Sequence, residues 1–286
     1  MPHAYESHIL SYLCDHEFLS LRQAREFIPA SDVTIRRLFN KLAESNLVRR
    51  VRGGVRPPAQ SGEQRVPFFL RDQWNAREKR FIARRAAQLA APHTAVAIHG
   101  GTTTTFLGMY IDCGTLIVNS LSICRILAER FPSGGGPAVY LAGGSLDLRS
   151  DILTGPEAER SFGRYHADLA FISSFGLDRC GLLDTDPQSA SAISKVADIA
   201  ERTICLADHS KFSKKSVARG PAWSRIDVLV TDFFPENHDL LNSIRDCGVE
   251  VIIVNCEEEQ RRLFRTGKSA GGETAPPSAH KCQNSL

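Results

Sequence analysis

The chain has 286 residues, 42% hydrophobic and 23% charged, with a net charge of +3. That is globular composition, with core enough for one large domain or two smaller ones. No apolar run approaches the ~20 residues that span a bilayer, and Met1 to Glu6 has no basic segment leading an apolar one, so neither membrane anchor nor signal peptide is expected and a cytoplasmic location is.

Eight scattered cysteines without a Cys-x-x-Cys pair argue for reduced, buried thiols and against a zinc site or disulfide framework. Residues 5–56 read as a small helical module. Tyr5, Ile9, Leu10 and Leu13 recur at helical spacing. Ser20 can cap a second helix carrying Leu21, Ala24, Phe27 and Ile28, which Pro29 ends. Ser31 can cap a third, with Val33, Ile35, Leu38, Phe39 and Leu42 to pack. Two helices joined by about four residues, the second rich in Thr and Arg, suggest a helix-turn-helix. Leu47 to Arg56 alternates apolar and basic residues around Gly53-Gly54, which suits a two-stranded wing.

Charge follows this module. Thr34 to Arg56 holds seven Lys/Arg and one acid, a net of +6, leaving −3 for the rest of the chain. Such a basic stripe is the footprint of phosphate-backbone binding. The candidate contacts to double-stranded operator DNA are Thr34, Arg36, Arg37 and Lys41 on the helix and Arg50 and Arg52 in the wing. The competing reading is a solvated basic face on a protein-docking module.

Residues 57–74 are Pro-, Gly- and polar-rich up to Pro67-Phe68-Phe69 and read as a linker with partial docking. A helix is expected over 75–91, with Phe81, Ile82, Ala86 and Leu89 on one side. Strands are expected at 94–98, 115–119, 138–142, 169–173, 203–207, 228–231 and 249–254. Helices are expected at 103–110, 121–130, 156–165, 188–200 and 236–247. This alternation predicts an α/β domain over 75–265 with a doubly wound, largely parallel sheet. Residues 266–286, rich in Gly, Ser and Pro, are expected to be a disordered tail.

Ligands of such sheets sit beyond the carboxyl ends of the strands. There this chain places Gly100-Gly101-Thr102-Thr103-Thr104, Asn119-Ser120, Gly143-Gly144, Ser173 to Gly176, and Asp208 with Lys211. Glycines before a helix leave backbone N–H groups open to an anion, and threonines add donors. Small donors, glycines and one lysine at one sheet edge predict a crevice for an anionic polyol. Plainer accounts compete: Asp208 as a turn cap, His99 as a buried, hydrogen-bonded histidine, Phe106 and Tyr110 as core.

Thr34-Ile35-Arg36-Arg37, Leu42, Leu47 to Val51 and Gly53-Gly54 resemble the winged helix-turn-helix of the DeoR/GlpR family of bacterial transcriptional regulators. His99 to Thr104, Asn119 to Leu121, Leu141 to Gly144, Gly155-Pro156, Ser173 to Gly176 and Leu206 to Phe212 resemble, in order, that family's effector domain, which is similar to ribose-5-phosphate isomerase. The resemblance implies a repressor of carbohydrate metabolism genes controlled by a phosphorylated sugar or related intermediate. It implies that Gly101 to Thr104 cradle the phosphate and Lys211 adds charge. The chain departs from the family pattern at Leu38, His99 and Phe175, and at Gln188, Ser189 and Ile193, which points to an altered, weakened or lost ligand. Helix-turn-helix proteins usually bind symmetric sites, so a homo-oligomer, dimer or tetramer, is expected, with no cofactor, metal or membrane partner. The alternative is a sugar-phosphate isomerase-like enzyme with an appended helical module. Enediol chemistry needs a carboxylate base; Phe175 cannot move a proton, though Asp178 and Asp184 lie nearby, and no catalytic residue is assigned.

Overall fold

A computed structural model describes residues 2–45, 47–57, 68–92, 94–212 and 214–255. Most of the expected linker and all of the expected tail lie outside the described residues. The chain opens with α1 (Pro2–Asp15), the short β1 (Leu19–Ser20), α2 (Leu21–Phe27) and α3 (Asp32–Glu44). Ser20 caps α2 by accepting from the Gln23 N–H while the Gln23 side chain accepts from the Ser20 N–H. Ser31 caps α3 by accepting from the Thr34 N–H. Ile35, Leu38, Phe39 and Leu42 pack with Ile9, Leu10 and Leu13. Val33, expected among them, is instead 61% exposed: two residues before Ile35, it is turned by about 200° around the helix.

The wing is β2 (Arg49–Val51) and β3 (Gly54–Arg56), and β1 adds an unexpected third strand along β3. That pairing explains the two glycines. Gly53 takes φ +85 in the turn, while a Cβ on Gly54 would lie 2.1 Å from the Leu19 carbonyl oxygen.

Beyond the wing come α4 (Phe68–Arg71) and α5 (Ala76–Ala87). The latter stops short of Leu89, which was expected on its buried side. There follow β4 (Ala95–Ile98), α6 (Thr102–Thr105), β5 (Thr115–Val118), α7 (Leu121–Arg130), β6 (Ala138–Leu141), β7 (Ser145–Asp147) and β8 (Ile152–Thr154). The chain continues through α8 (Pro156–Phe162), β9 (Ala167–Ile172), β10 (Gly176–Asp178), β11 (Gly181–Asp184), α9 (Pro187–Asp198) and β12 (Ala200–Ala207). It ends with β13 (Ala218–Ala222), β14 (Val228–Asp232), α10 (His238–Asp246) and β15 (Glu250–Val254).

All seven expected strands form one sheet in the order β15-β14-β12-β9-β4-β5-β6, every neighbouring pair parallel. The chain winds outward from β4 to β6, returns to the other side of β4, and winds outward again from β9 to β15. The winding reverses between β4 and β9, and loops leaving two such strands part to open a crevice. The central strands are continuous apolar runs, Val96 to Ile98 and Leu169 to Ile172, and all seven residues are buried. The β7–β8 hairpin and the antiparallel sheet β10-β11-β13 were not expected; both are built from strands of three to five residues. The helix expected at 103–110 is one turn of α6 followed by a 3-10 turn at Phe106–Met109, in keeping with four threonines and Gly108 as poor helix formers.

Candidate functional site

On α3, Arg36 and Arg37 are exposed and make no hydrogen bond or ion pair among the described residues. Thr34 is exposed beside them, its hydroxyl 3.0 Å from Ser31 Oγ. Lys41 differs, because its Nζ binds Glu6 Oε1 at 2.6 Å. Arg50 is also engaged: Nη1 donates to the Gly54 carbonyl at 3.0 Å and the guanidinium lies over the Phe39 ring, locking wing to helix. Arg52 sits in the exposed turn. Arg49 and Arg56, not singled out from the sequence, face each other across the β2–β3 ladder. Like charges directly opposite repel. The two-residue turn at Arg52-Gly53 was the signal that sets this register.

At the carboxyl ends of β4 and β9 lies a crevice of about 250 Å3. The turn after β4 and the start of α6 contribute His99 to Thr103, and the loop after β9 contributes Ser173, Ser174 and Phe175. Asp184, Asp186 and Ser189 come from the β11–α9 connection, Asp147, Arg149 and Ser150 from the β7–β8 hairpin, and Phe68 and Arg71 from α4. Lys211 reaches it from the loop after β12. Burial pushes the Asp184 carboxyl up, against the N–H groups of Thr185 and Asp186 that donate to it. Burial drives the His99 imidazole down to about 4. The Gly100 backbone opposes that shift; the histidine is buried as expected, but neither ring nitrogen has a partner in hydrogen-bond geometry among the described residues.

Several expected ligand residues are held by the protein itself. Asn119 Oδ1 accepts from the Gly100 N–H at 2.8 Å, and its Nδ2 donates to the Leu153 carbonyl. The Thr104 hydroxyl donates to the His99 carbonyl at 2.8 Å. Ser120 caps α7. Gly143 and Gly144 lie outside the crevice lining, and Gly144 packs against Thr154 and Ala158. A Cβ on Gly101 would meet Ser173 Oγ at 2.2 Å, so any larger residue here must turn that serine hydroxyl aside. Gly101, Thr102, Thr103 and Lys211 remain in the lining. Of the departures from the family pattern, Phe175 and Ser189 line the crevice, Gln188 is exposed and Ile193 is core.

Asp208 is fully buried beneath the crevice loops, accepting from Asn75 Nδ2 at 2.9 Å and from the Ser210 N–H. Burial alone would raise its carboxyl; Lys211, Lys79 and the Ser210 hydroxyl outweigh that and hold it well below the usual carboxylate range. Lys79 was missed from the sequence, since a lysine on an amphipathic helix ordinarily faces solvent. It is buried with Nζ donating to the Arg71 carbonyl at 2.6 Å. Burial pulls its ammonium down to about 8, against Asp208. A second cavity, about 190 Å3, adjoins the crevice; Arg71, Thr102, Phe175 and Lys211 line both. Leu13 of the N-terminal module and Pro57 at the start of the linker also line it.

Exposed arginines on a winged helix-turn-helix, with a polar crevice at the switch point of a parallel sheet, define a ligand-sensing DNA-binding regulator. Residues 6–61 match the DeoR-like helix-turn-helix domain and residues 74–233 the DeoR C terminal sensor domain. The chain belongs to the DeoR family of transcriptional regulators. It is 29% identical to the HTH-type transcriptional repressor GlcR of Bacillus subtilis, over 87% of this chain and 95% of that one. It is 29% identical to the transcriptional repressor AccR of Agrobacterium fabrum, over 91% and 95%. It is 28% identical to the HTH-type transcriptional regulator UlaR of Shigella flexneri, over 86% and 96%. Among solved structures, ribose 5 phosphate isomerase A from Neisseria gonorrhoeae aligns at TM-score 0.30 and 18% identity, over 48% of this chain and 53% of that one. The sheet order, not that alignment, defines the fold. No described helix is long and apolar enough to cross a membrane.

Proposed function

We propose that this regulator is a repressor of carbohydrate metabolism genes, and that its crevice takes a phosphorylated sugar. The observation that carries this reading is the crevice itself: Arg71, Arg149 and Lys211 line it together with Thr102, Thr103, Ser173 and Ser174 at the switch point, while Asp184, Asp186 and Asp147, the last paired with Arg149, supply acceptors for hydroxyls. The phosphate lies against Gly101, Thr102 and Thr103, with Lys211 opposite. The relatives named repressors support the direction of control. The proposal includes a cytoplasmic homo-oligomer binding a symmetric operator, and a protein that catalyses nothing and uses no cofactor. Its parts are the DNA-binding module at 1–56, a linker whose end from Phe68 onward docks on the sensor, the sensor to 265 and a tail.

Calorimetry against tetrose, pentose and hexose phosphates and the corresponding free sugars, paired with operator binding and an isomerase assay, tests it. Binding of phosphorylated sugars alone, with release of operator and no turnover, is expected. Equal affinity for free sugars would remove the phosphate site. Turnover would favour the isomerase alternative, with Asp184 as its base.

A further inference from the structure

His99 follows directly on β4, in the buried part of the crevice lining. Its backbone is held on both sides: the N–H donates to the Phe171 carbonyl at 3.0 Å, and the carbonyl accepts from Thr104 Oγ1 at 2.8 Å. The side chain is 2% exposed and lines the crevice, yet among the described residues neither ring nitrogen has a partner in hydrogen-bond geometry, the Gly100 backbone only opposing the effect of burial. Buried polar groups in folded proteins are almost always paired, and an exception calls for a cause. Packing supplies none. Ala97, on the same face two residues earlier, and neighbouring Ala170 belong to an apolar core, where a phenylalanine would strand no nitrogen.

The cations of the crevice are more exposed than its inner serines and histidine, and they share the lining with Asp147, Asp184 and Asp186. The Arg149 side chain is 73% exposed, and Arg71 and Lys211 are half-buried. His99, Ser173 and Ser174 are buried. A ligand whose anion meets the cations turns its other end toward His99. A neutral imidazole presents one donor and one acceptor, and a hydroxyl both gives and takes a hydrogen bond. A carboxylate there would offer acceptors only, in a crevice that Asp184 also lines.

We infer that His99 is the specificity residue of the crevice: its imidazole exchanges hydrogen bonds with a hydroxyl at the uncharged end of a polyol phosphate. The inference rests on the phosphorylated-sugar reading and adds which end of the ligand is read, and by what.

The test uses the full chain and its His99→Phe and His99→Gln variants, titrated with inorganic phosphate and with tetrose, pentose and hexose phosphates. The unaltered protein is expected to prefer at least one sugar phosphate over inorganic phosphate by roughly tenfold, the scale of a good hydrogen bond. His99→Phe should bind inorganic phosphate unchanged and lose that preference, and His99→Gln, which keeps a donor and an acceptor, should recover part of it. An undiminished preference in His99→Phe overturns the role of His99 and leaves the phosphorylated-sugar reading standing. If the unaltered protein binds no sugar phosphate better than inorganic phosphate, both fall. Ring 15N shifts of His99 in the unaltered protein keep the test open should either variant fail to fold. They should move with the preferred sugar phosphate and not with inorganic phosphate, and an unmoved ring overturns the inference.

Discussion

The Asn75 side-chain amide donates to Asp208 Oδ1 at 2.9 Å, across 133 positions of sequence. Its neighbour Trp74 packs against the hydrophobic core of the DNA-binding module. One residue pair therefore ties the segment following the wing to the loop that carries Lys211. The geometry suits asparagine, because residue 75 holds φ 51, a left-handed conformation that Asn tolerates better than most.

Asn75→Gly keeps that conformation and deletes the amide. It is expected to cost on the order of 1.5–3 kcal/mol, the range for a hydrogen bond to a charged group. Asn75→Ala deletes the amide and strains the backbone, for roughly 1–2 kcal/mol more. Equilibrium urea denaturation of the two variants separates these contributions; equal losses would show that the left-handed turn imposes nothing.

The DNA face divides into free and engaged arginines. Arg36→Ala and Arg37→Ala should each weaken operator binding, at least one relaxing sequence preference by about 1–3 kcal/mol through a lost base contact. Arg49→Ala should weaken all sequences alike and reduce the salt slope by roughly 0.9 per phosphate lost, while easing its repulsion from Arg56. Lys41→Ala should change affinity less, since Glu6 already holds that lysine. Salt-dependent binding to operator and random DNA checks all four, and an unaltered operator affinity in the Arg36/Arg37 double variant sinks the assignment.

Gly101→Ala places a Cβ where Ser173 Oγ now lies. The Ser173 hydroxyl must rotate away, which changes the donors that line the crevice there. Sugar-phosphate affinity should fall while operator affinity stays intact. Gly101→Ala combined with Ser173→Gly should recover part of the loss by making room. Failure of the double variant to recover any binding would mean that the glycine serves something other than this contact.

The winding of the sheet was legible because its strands are apolar runs, the central ones buried on both faces and even the exposed edge strand β6 apolar, and that pattern survives without an alignment. The caps Ser20 and Ser31 were legible because each stands just before an amphipathic segment. The hairpin β7–β8 carried no such signal: three residues cannot show an alternation. The crevice was legible in outline, since strand ends bring distant turns together. Its interior was not. That Asn119 occupies the Gly100 N–H, and that Thr104 turns its hydroxyl back to His99, are backbone pairings which side-chain chemistry does not announce. The burial of Lys79 depends on α4 folding over it, and no spacing within α5 reveals that.

The pair His209–Asp232 sets a pH dependence. His209 Nδ1 lies 2.5 Å from Asp232 Oδ2, and the ring stacks on Phe234. The hydrogen bond to Asp232 raises the histidine above its ordinary value, against burial. A histidine raised on folding contributes stability that is fully present below its unfolded value of about 6.5 and is lost as pH rises through the folded value. Lys79 works in the opposite sense at higher pH. Its ammonium is lowered to about 8, so folding gains as pH climbs from there toward the unfolded lysine value. The window for the pair is therefore pH 6 to about 8, above the carboxylate range in which Asp208 would titrate. Because His99, lowered to about 4, contributes in the opposite sense as pH rises toward and through 6.5, the measurement is a difference: across this window denaturation should show the unaltered protein losing stability relative to Asp232→Asn. Parallel profiles in the two proteins would mean that the histidine gains nothing from Asp232.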